Sequence, residues 1–518
     1  MPEEVDVRRR VRTRRRRLIL VVVIALAGVI GGRVGRPALP PLSWLAYVGH
    51  FVGGPHSTAA NYGYGPPDQI ASIPVESYTA SVKPADIGVQ FVAASGPELR
   101  RQHLTMTMRH GTAKSERVPL TITPDGFAGW RLPKNLTPGR YTFQMGSATL
   151  GYTPSWTVTL DPTLGLPAPD RQGEEARAVL NQIRAALHLD PVGWSPQLTL
   201  AALYHARYVA HYGYDRPSFH VEAKGPLYFG TNPWDRDLRA GWMDASTGEV
   251  GIAAASPVPG PLFVAALIDT VYHRLGLLDA NLNAVGMASA AGAQTGATMM
   301  DLSYVYRTDL PLALVYPPDR AVGIATSWYD NEDPDPVPNG QGGVYGYPIT
   351  LDMPTVQSLG AMAMALVQNG HVVPTYFDAP GAGDMDPNQA ALVPKHPLLP
   401  DITYEVVAVS QNVLFNDGVT RSVAERWSFT TGGAESVYAG VYDGTLYVAV
   451  DTPGAFPPGE ATTVKVTFSH GPHAVPLTVR VGASGVAAVP LPALSAGRWT
   501  IRAATSTGNQ GTSVYVQR

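Results

Sequence analysis

Residues 195–213 read SPQLTLAALYHARYVAHYG, and both ends carry a boundary signal. Ser195 supplies a side-chain oxygen for the unpaired N–H groups of a helix start, Pro196 suits the first helical position, and Gly213 stops the run. The stretch before it, EEARAVLNQIRAALHL from Glu174 to Leu189, places Ala176, Val179, Leu180, Ile183 and Leu187 on one stripe at helical spacing. PLFVAALIDTVYHR, from Pro261 to Arg274, predicts a third helix, and AVGMASA (284–290) and ATMMDLSYV (297–305) read as short strands. Helices first and strands after, joined by loops, imply an α+β sandwich over residues 165–310.

Outward from this segment the period changes to two. LTMTMRHGTAKSERVPLTITPDGFAGWRLPKNLTPGRYT (104–142) and VKVTFSHGPHAVPLTVRVGASGVAAVPLPALSAGRWT (464–500) share an alternating strand, His-Gly, VPLT, a glycine turn, LP, and GR before an aromatic and Thr. Such repetition predicts matching β-sandwich domains at 75–162 and 434–518. His110 and His470 recur at equivalent places in it and read as hairpin residues.

A third β region covers 312–432. It begins VYPPDRAVGIATSW and ends ITYEVVAVS and RWSFTTG, and it resembles the bacterial Ig-like modules of surface proteins. Inside it, MPTVQSLGAMAMALVQNG (353–370) sets Val356, Leu359, Met362 and Leu366 on one helical face, which predicts a helical insert. Its loop DNEDPDP, Asp330 to Asp335 and the following proline, has the hard carboxylates calcium prefers. The interrupting prolines favour a solvated loop instead.

The whole chain has 518 residues, a net charge of −3 and no cysteine. Several domains are expected, bulk attraction to nucleic acid is not, and disulfides, thiolate metal sites and thiol nucleophiles are excluded. In residues 1–36 an arginine-rich stretch precedes the uncharged run Leu18–Gly32. The basic side stays in the cytoplasm and the bulk of the chain is exported, through a single transmembrane anchor or, alternatively, a cleaved signal peptide that releases a secreted protein. Residues 37–74, rich in Gly and Pro, read as a stalk. The expected fold class is therefore multidomain: an α+β sandwich, three all-β Ig-like sandwiches, and an N-terminal transmembrane or signal helix.

Four fragments in order resemble the CAP superfamily, which comprises the cysteine-rich secretory, antigen 5 and pathogenesis-related 1 proteins, in its bacterial SCP-like form. They are LNQIRAALHLDPVGWSPQLTLAALYHARYVA (180–210), FHVEAKGPLYFGTNPWDRDLRAGW (219–242), GEVGIAA (248–254) and DTVYHRLGLLDANLNAVGMA (269–288). The resemblance implies a CAP-like α-β-α sandwich with a ligand cleft lined by His220, Glu249 and His273. It places Thr270 where the family carries a second glutamate. His205 matches a recurrent helix histidine and reads as structural, and Trp234, Asp235 and Arg236 read as packing plus an ion pair. Two imidazoles and a carboxylate suit zinc or another divalent cation, so His220, Glu249 and His273 are candidate metal ligands and Glu249 a candidate catalytic base. Without the second carboxylate, the expectation is a cell-surface binding protein for a small ligand, a lipid, a peptide or a cell-wall or extracellular protein. A metal-dependent extracellular hydrolase is the alternative, and a structural spacer the third reading.

Overall fold

The computed structural model describes strands between residues 86 and 160 and, with short breaks, residues 167–516; the N-terminal helix and stalk expected at 1–74 lie outside the described residues. Among the described residues no single helix is long and apolar enough to cross a membrane. The described residues divide into two compact units, one containing 312–432 and the other containing the described residues before 312 together with those from 433 to 516.

In the larger unit, helix α1 (Arg171–Ala186) starts at Asp170, whose carboxylate accepts from Gly173 N at 2.6 Å. Helix α2 (Pro196–Tyr212) starts at Ser195, whose Oγ accepts from Leu198 N at 3.2 Å, and ends at Gly213 with φ of 81°. Each such cap stabilises its helix by about 1 kcal/mol. Helix α3 spans Pro233–Ala240. The apolar run from Pro261 does not make one helix: α4 (Gly260–Ile268) and α5 (Tyr272–Leu278) meet at 112°. Thr270 breaks the run by donating from Oγ1 to Leu267 O at 2.7 Å, and Arg274 holds the corner by donating from Nε to Ile268 O at 2.5 Å.

Strands β1 (Gly193–Trp194), β2 (Thr247–Ala254), β3 (Leu282–Ala291) and β4 (Gly296–Tyr304) form one sheet in the order β1-β3-β4-β2. The period of two along β3 assigns its faces. Ala284 packs with Leu198 and Ala288 with Ala202, on the α2 side, whereas Met287 meets Gly173 of α1 on the other. The result is an α-β-α sandwich whose middle layer is buried on both faces.

The two ends of the chain carry four-stranded sheets of the same order. Residues 116–119, 105–110, 139–146 and 155–160 form one, and 473–481, 462–470, 497–504 and 509–516 form the other. Each accompanies a three-stranded sheet. In the C-terminal sandwich that smaller sheet contains β5 (Ser436–Tyr442) and β6 (Thr445–Asp451), and α1 and α4 pack against it.

The unit at 312–432 is all-β. Residues 314–316, 349–352, 389–394 and 375–378 form one sheet, and 321–324, 420–431, 403–415, 361–368 and 371–372 form a second. The helical insert expected at 353–370 is thereby corrected: Val356–Ser358 and Ala361–Gln368 are strands paired to 403–415. A strand buried on both faces has a continuous apolar run, which also satisfies a helical stripe. Gly360, at φ of 61°, separates the two strands with its Cα so close to Gln411 O that a Cβ would lie 2.3 Å from it. The acidic loop is corrected too, since Asp330 and Glu332 are buried rather than solvated. Burial, with Asp335 and Glu332 alongside, pushes the Asp330 carboxyl up to about 7.

Candidate functional site

Glu249 sits on β2, opposite Asp301 of β4, with its side chain excluded from solvent. Its Oε1 accepts from His220 Nδ1 at 2.9 Å and has His205 Nε2 3.4 Å away; its Oε2 accepts from Arg236 Nη2 at 2.8 Å. Burial alone would raise the Glu249 carboxyl, but Arg236, His205 and His220 outweigh it and hold it well below the usual carboxylate range. Opposite charge at hydrogen-bond distance in a dry site is the stronger effect here. The sheet positions Glu249, while α3 and the loop before it deliver Arg236 and His220.

The network extends beneath the cleft. His205, wholly buried on α2, faces Glu222 Oε1 through Nδ1 at 3.0 Å and Phe219 O through Nε2 at 3.0 Å. Glu222 Oε2 accepts from the backbone N–H groups of Phe229 and Gly230 at 2.6 and 3.2 Å. Arg236 also donates from Nη1 to His220 O at 3.2 Å, tying the histidine's backbone to the carboxylate that holds its ring. Burial would weaken the Arg236 charge, but Glu249, Asp301 and Glu222 keep it above its ordinary value. Burial, and after it Asp237 and Glu249, push the Asp301 carboxyl well above the ordinary aspartate value, with Arg236 opposing.

His220 is driven below the ordinary imidazole value, chiefly by burial, with Glu249 opposing and His273 and His205 adding to the fall. His273 is thus near enough for its charge to act on His220. On α5, its Nδ1 is 3.3 Å from Thr270 Oγ1. Because the single Thr270 hydroxyl hydrogen goes to Leu267 O, that oxygen accepts from His273 Nδ1–H. Both imidazoles are therefore held through Nδ1–H, so that in the neutral ring form Nε2 is the lone-pair nitrogen.

The expected site residues fall into two groups. His220 and Glu249 are directly bonded, and Thr270 and His273 are directly bonded. Glu222 and the pairing of Arg236 with Glu249 were not anticipated; the one local signal was Glu222 two residues after His220, on the same short segment. His205 is structural in the sense that it anchors Glu222.

A catalytic zinc centre takes three protein ligands and an open position. Glu249 has both oxygens engaged, one of them by a guanidinium that competes with any cation. Asp269, beside Thr270, is engaged by Tyr438. Among the described residues no group of three or more His, Asp or Glu side chains is placed to hold a metal ion. A centre with Glu249 as ligand does not fit this donor set, and the two imidazoles are what it offers.

Residues 177–306 match the family model for the cysteine-rich secretory protein family, CAP. Three solved structures resemble the chain. An extracellular protein containing a SCP domain from Bacillus anthracis str. Ames has 13% identity and a TM-score of 0.20, covering 53% of this chain and 98% of its own. A tetra-tandem repeat in the extending region of a large adhesion protein has 11% identity and a TM-score of 0.14, covering 86% and 100%. Extracellular domains 3–5 of Drosophila OTK have 7% identity and a TM-score of 0.16, covering 87% and 98%. No curated protein matches the chain. With the matched segment folded as helices on both faces of a four-stranded sheet, residues 177–306 are a CAP domain within a longer, mostly β, multidomain chain.

Proposed function

We propose that this chain is an exported, membrane-anchored cell-surface protein whose CAP domain binds a small ligand, a lipid or a peptide beside His220 and His273, while the β modules display that cleft. The observation that carries the reading is the matched anchoring of the two rings. Glu249 holds one Nδ1–H and Thr270 the other, so each Nε2 is a preset hydrogen-bond acceptor. Glu249 acts as the positioning group for His220, because Arg236 holds its second oxygen. Partly buried imidazole nitrogens suit a ligand that brings hydroxyl or amide donors. The basic N-terminus followed by an apolar run supports export.

Titration of the full chain, carrying 15N-labelled histidine, with a muramyl dipeptide, a short-chain phosphatidylcholine and zinc chloride tests this. Saturable shifts of both His220 and His273 with one of the organic probes are the expected result. Rings unmoved by every organic probe would remove the binding reading. Zinc saturation accompanied by cleavage of the dipeptide would replace it with the hydrolase. Fractionation tests the anchor: a shortened, soluble product would show signal cleavage instead.

A further inference from the structure

The corner between α4 and α5 carries His273, and one of the hydrogen bonds that hold it comes from outside the CAP domain. Tyr438 of β5, wholly buried, donates its hydroxyl to Asp269 Oδ1 at 2.6 Å. Asp269 is buried too and ends α4, with its backbone N–H bonded to Ala265 O at 3.2 Å. The next residue is Thr270.

Thr270 does two things at that corner. Its Oγ1 donates to Leu267 O at 2.7 Å and accepts from His273 Nδ1 at 3.3 Å. The second bond is near the outer limit of hydrogen-bond distance, so a small displacement of Thr270 breaks it. Whatever fixes Thr270 therefore decides how His273 is held. Arg274, bonding back to Ile268 O, restrains the corner from the α5 side, and Tyr438 restrains it from the α4 side.

The seam behind Tyr438 is close-packed. Val437 and Ala439 point into the core of the C-terminal sandwich, so Tyr438 and Gly440, alternating with them, face the CAP domain. Gly440 lies against the backbone of Val179 in α1, and a Cβ on Gly485 would come within 3.1 Å of Leu262 Cδ2 in α4. Arg171 of α1 donates from Nη2 to Tyr447 OH of β6 at 3.2 Å. Helix α4 thus rests between α1 and the sheet of the sandwich, and Tyr438 takes hold of its C-terminal end.

We propose that Tyr438 is a positioning residue for the cleft: by fixing Asp269 it keeps Thr270 where its hydroxyl captures His273 Nδ1–H, which leaves Nε2 as the acceptor. The C-terminal sandwich is then part of the binding machinery as well as a display module. This rests on the reading of His273 as a cleft residue.

Histidine 15N shifts of the full chain without ligand, in alkaline buffer where a free imidazole is neutral, test the role. Tyr438→Phe is expected to shift the ratio of the two His273 tautomers towards Nε2–H by roughly twofold to tenfold, the equivalent of one hydrogen bond, while His220, held by Glu249, stays as it is. Tyr447→Phe removes another hydrogen bond of the same seam without touching Asp269, and His273 should not respond to it. An unchanged His273 in Tyr438→Phe, or an equal change in Tyr447→Phe, overturns the proposal. Should Tyr438→Phe fail to fold, Asp269→Ala removes the same bond from the other side; the same shift is expected, and an unchanged His273 again overturns it. Because no ligand is present, the outcome is separate from that of the ligand titration, which tests the binding reading.

Discussion

Arg236 Nη2 donates to Glu249 Oε2 at 2.8 Å, and neither side chain reaches solvent. Removing one member leaves the other as a buried charge whose partner is gone, which costs about 3–5 kcal/mol. Arg236→Met is therefore expected to destabilise the larger unit by that order, as chemical denaturation measures. The loss should exceed that of the double variant Arg236→Met/Glu249→Gln. A double loss equal to the sum of the losses of Arg236→Met and Glu249→Gln would mean that the pair is not coupled.

The depressed Glu249 carboxyl gives an acid limb. Its folded value lies below its unfolded one, so its stabilising contribution is complete above about pH 4.3 and is lost as pH falls further. Denaturation between pH 5 and 2 should show this loss in the wild type and a flatter profile in Glu249→Gln. His220 adds to the same limb at higher pH, because its value is lowered from that of a free imidazole.

Asp330 has the opposite sign. Its carboxyl, pushed up to about 7, keeps a proton that the unfolded chain loses near pH 3.9, so its module is progressively weakened as pH rises from there to about 7. Asp330→Asn, which has no proton to lose, is expected to stabilise the 312–432 unit at pH 8 by roughly 1–3 kcal/mol, the order of the cost of burying a carboxylate beside Asp335 and Glu332. Thermal unfolding at pH 5 and pH 8 reads the difference, and it should shrink at the lower pH.

Thr270→Val keeps the shape of the α4–α5 corner but removes the acceptor for His273 Nδ1–H and the donor to Leu267 O. The expected outcome is a loss of about 1–2 kcal/mol and a mixture of His273 tautomers. Histidine 15N shifts distinguish this from the single Nε2-lone-pair form expected in the wild type.

Gly440 of β5 lies against the backbone of α1, where an added Cβ would come within 2.8 Å of Val179 Cα and N. Neither contact is a side chain that can turn away. Gly440→Ala should cost about 1–3 kcal/mol or more by forcing the strand from the helix. The effect should appear in the exchange of α1 as well as of β5.

Local patterns in the sequence determined the apolar stripe of α1, the caps of α2, the strands after α5, and the presence of a CAP domain, because helix ends, period and short motifs are recorded in consecutive residues. The same reading took 353–370 for a helix, since a strand buried on both faces has no polar alternation to reveal it. It took 261–274 for a single helix, since only Thr270 and Arg274, bonding back to carbonyls of α4, turn the chain there. Tertiary structure alone decided which oxygen of Glu249 each neighbour takes, that Arg236 is the cation held against it, and that Asp269 faces the C-terminal sandwich. Those facts depend on residues far apart in the chain meeting in a water-free interior, where a charge or proton is stable only beside its partner.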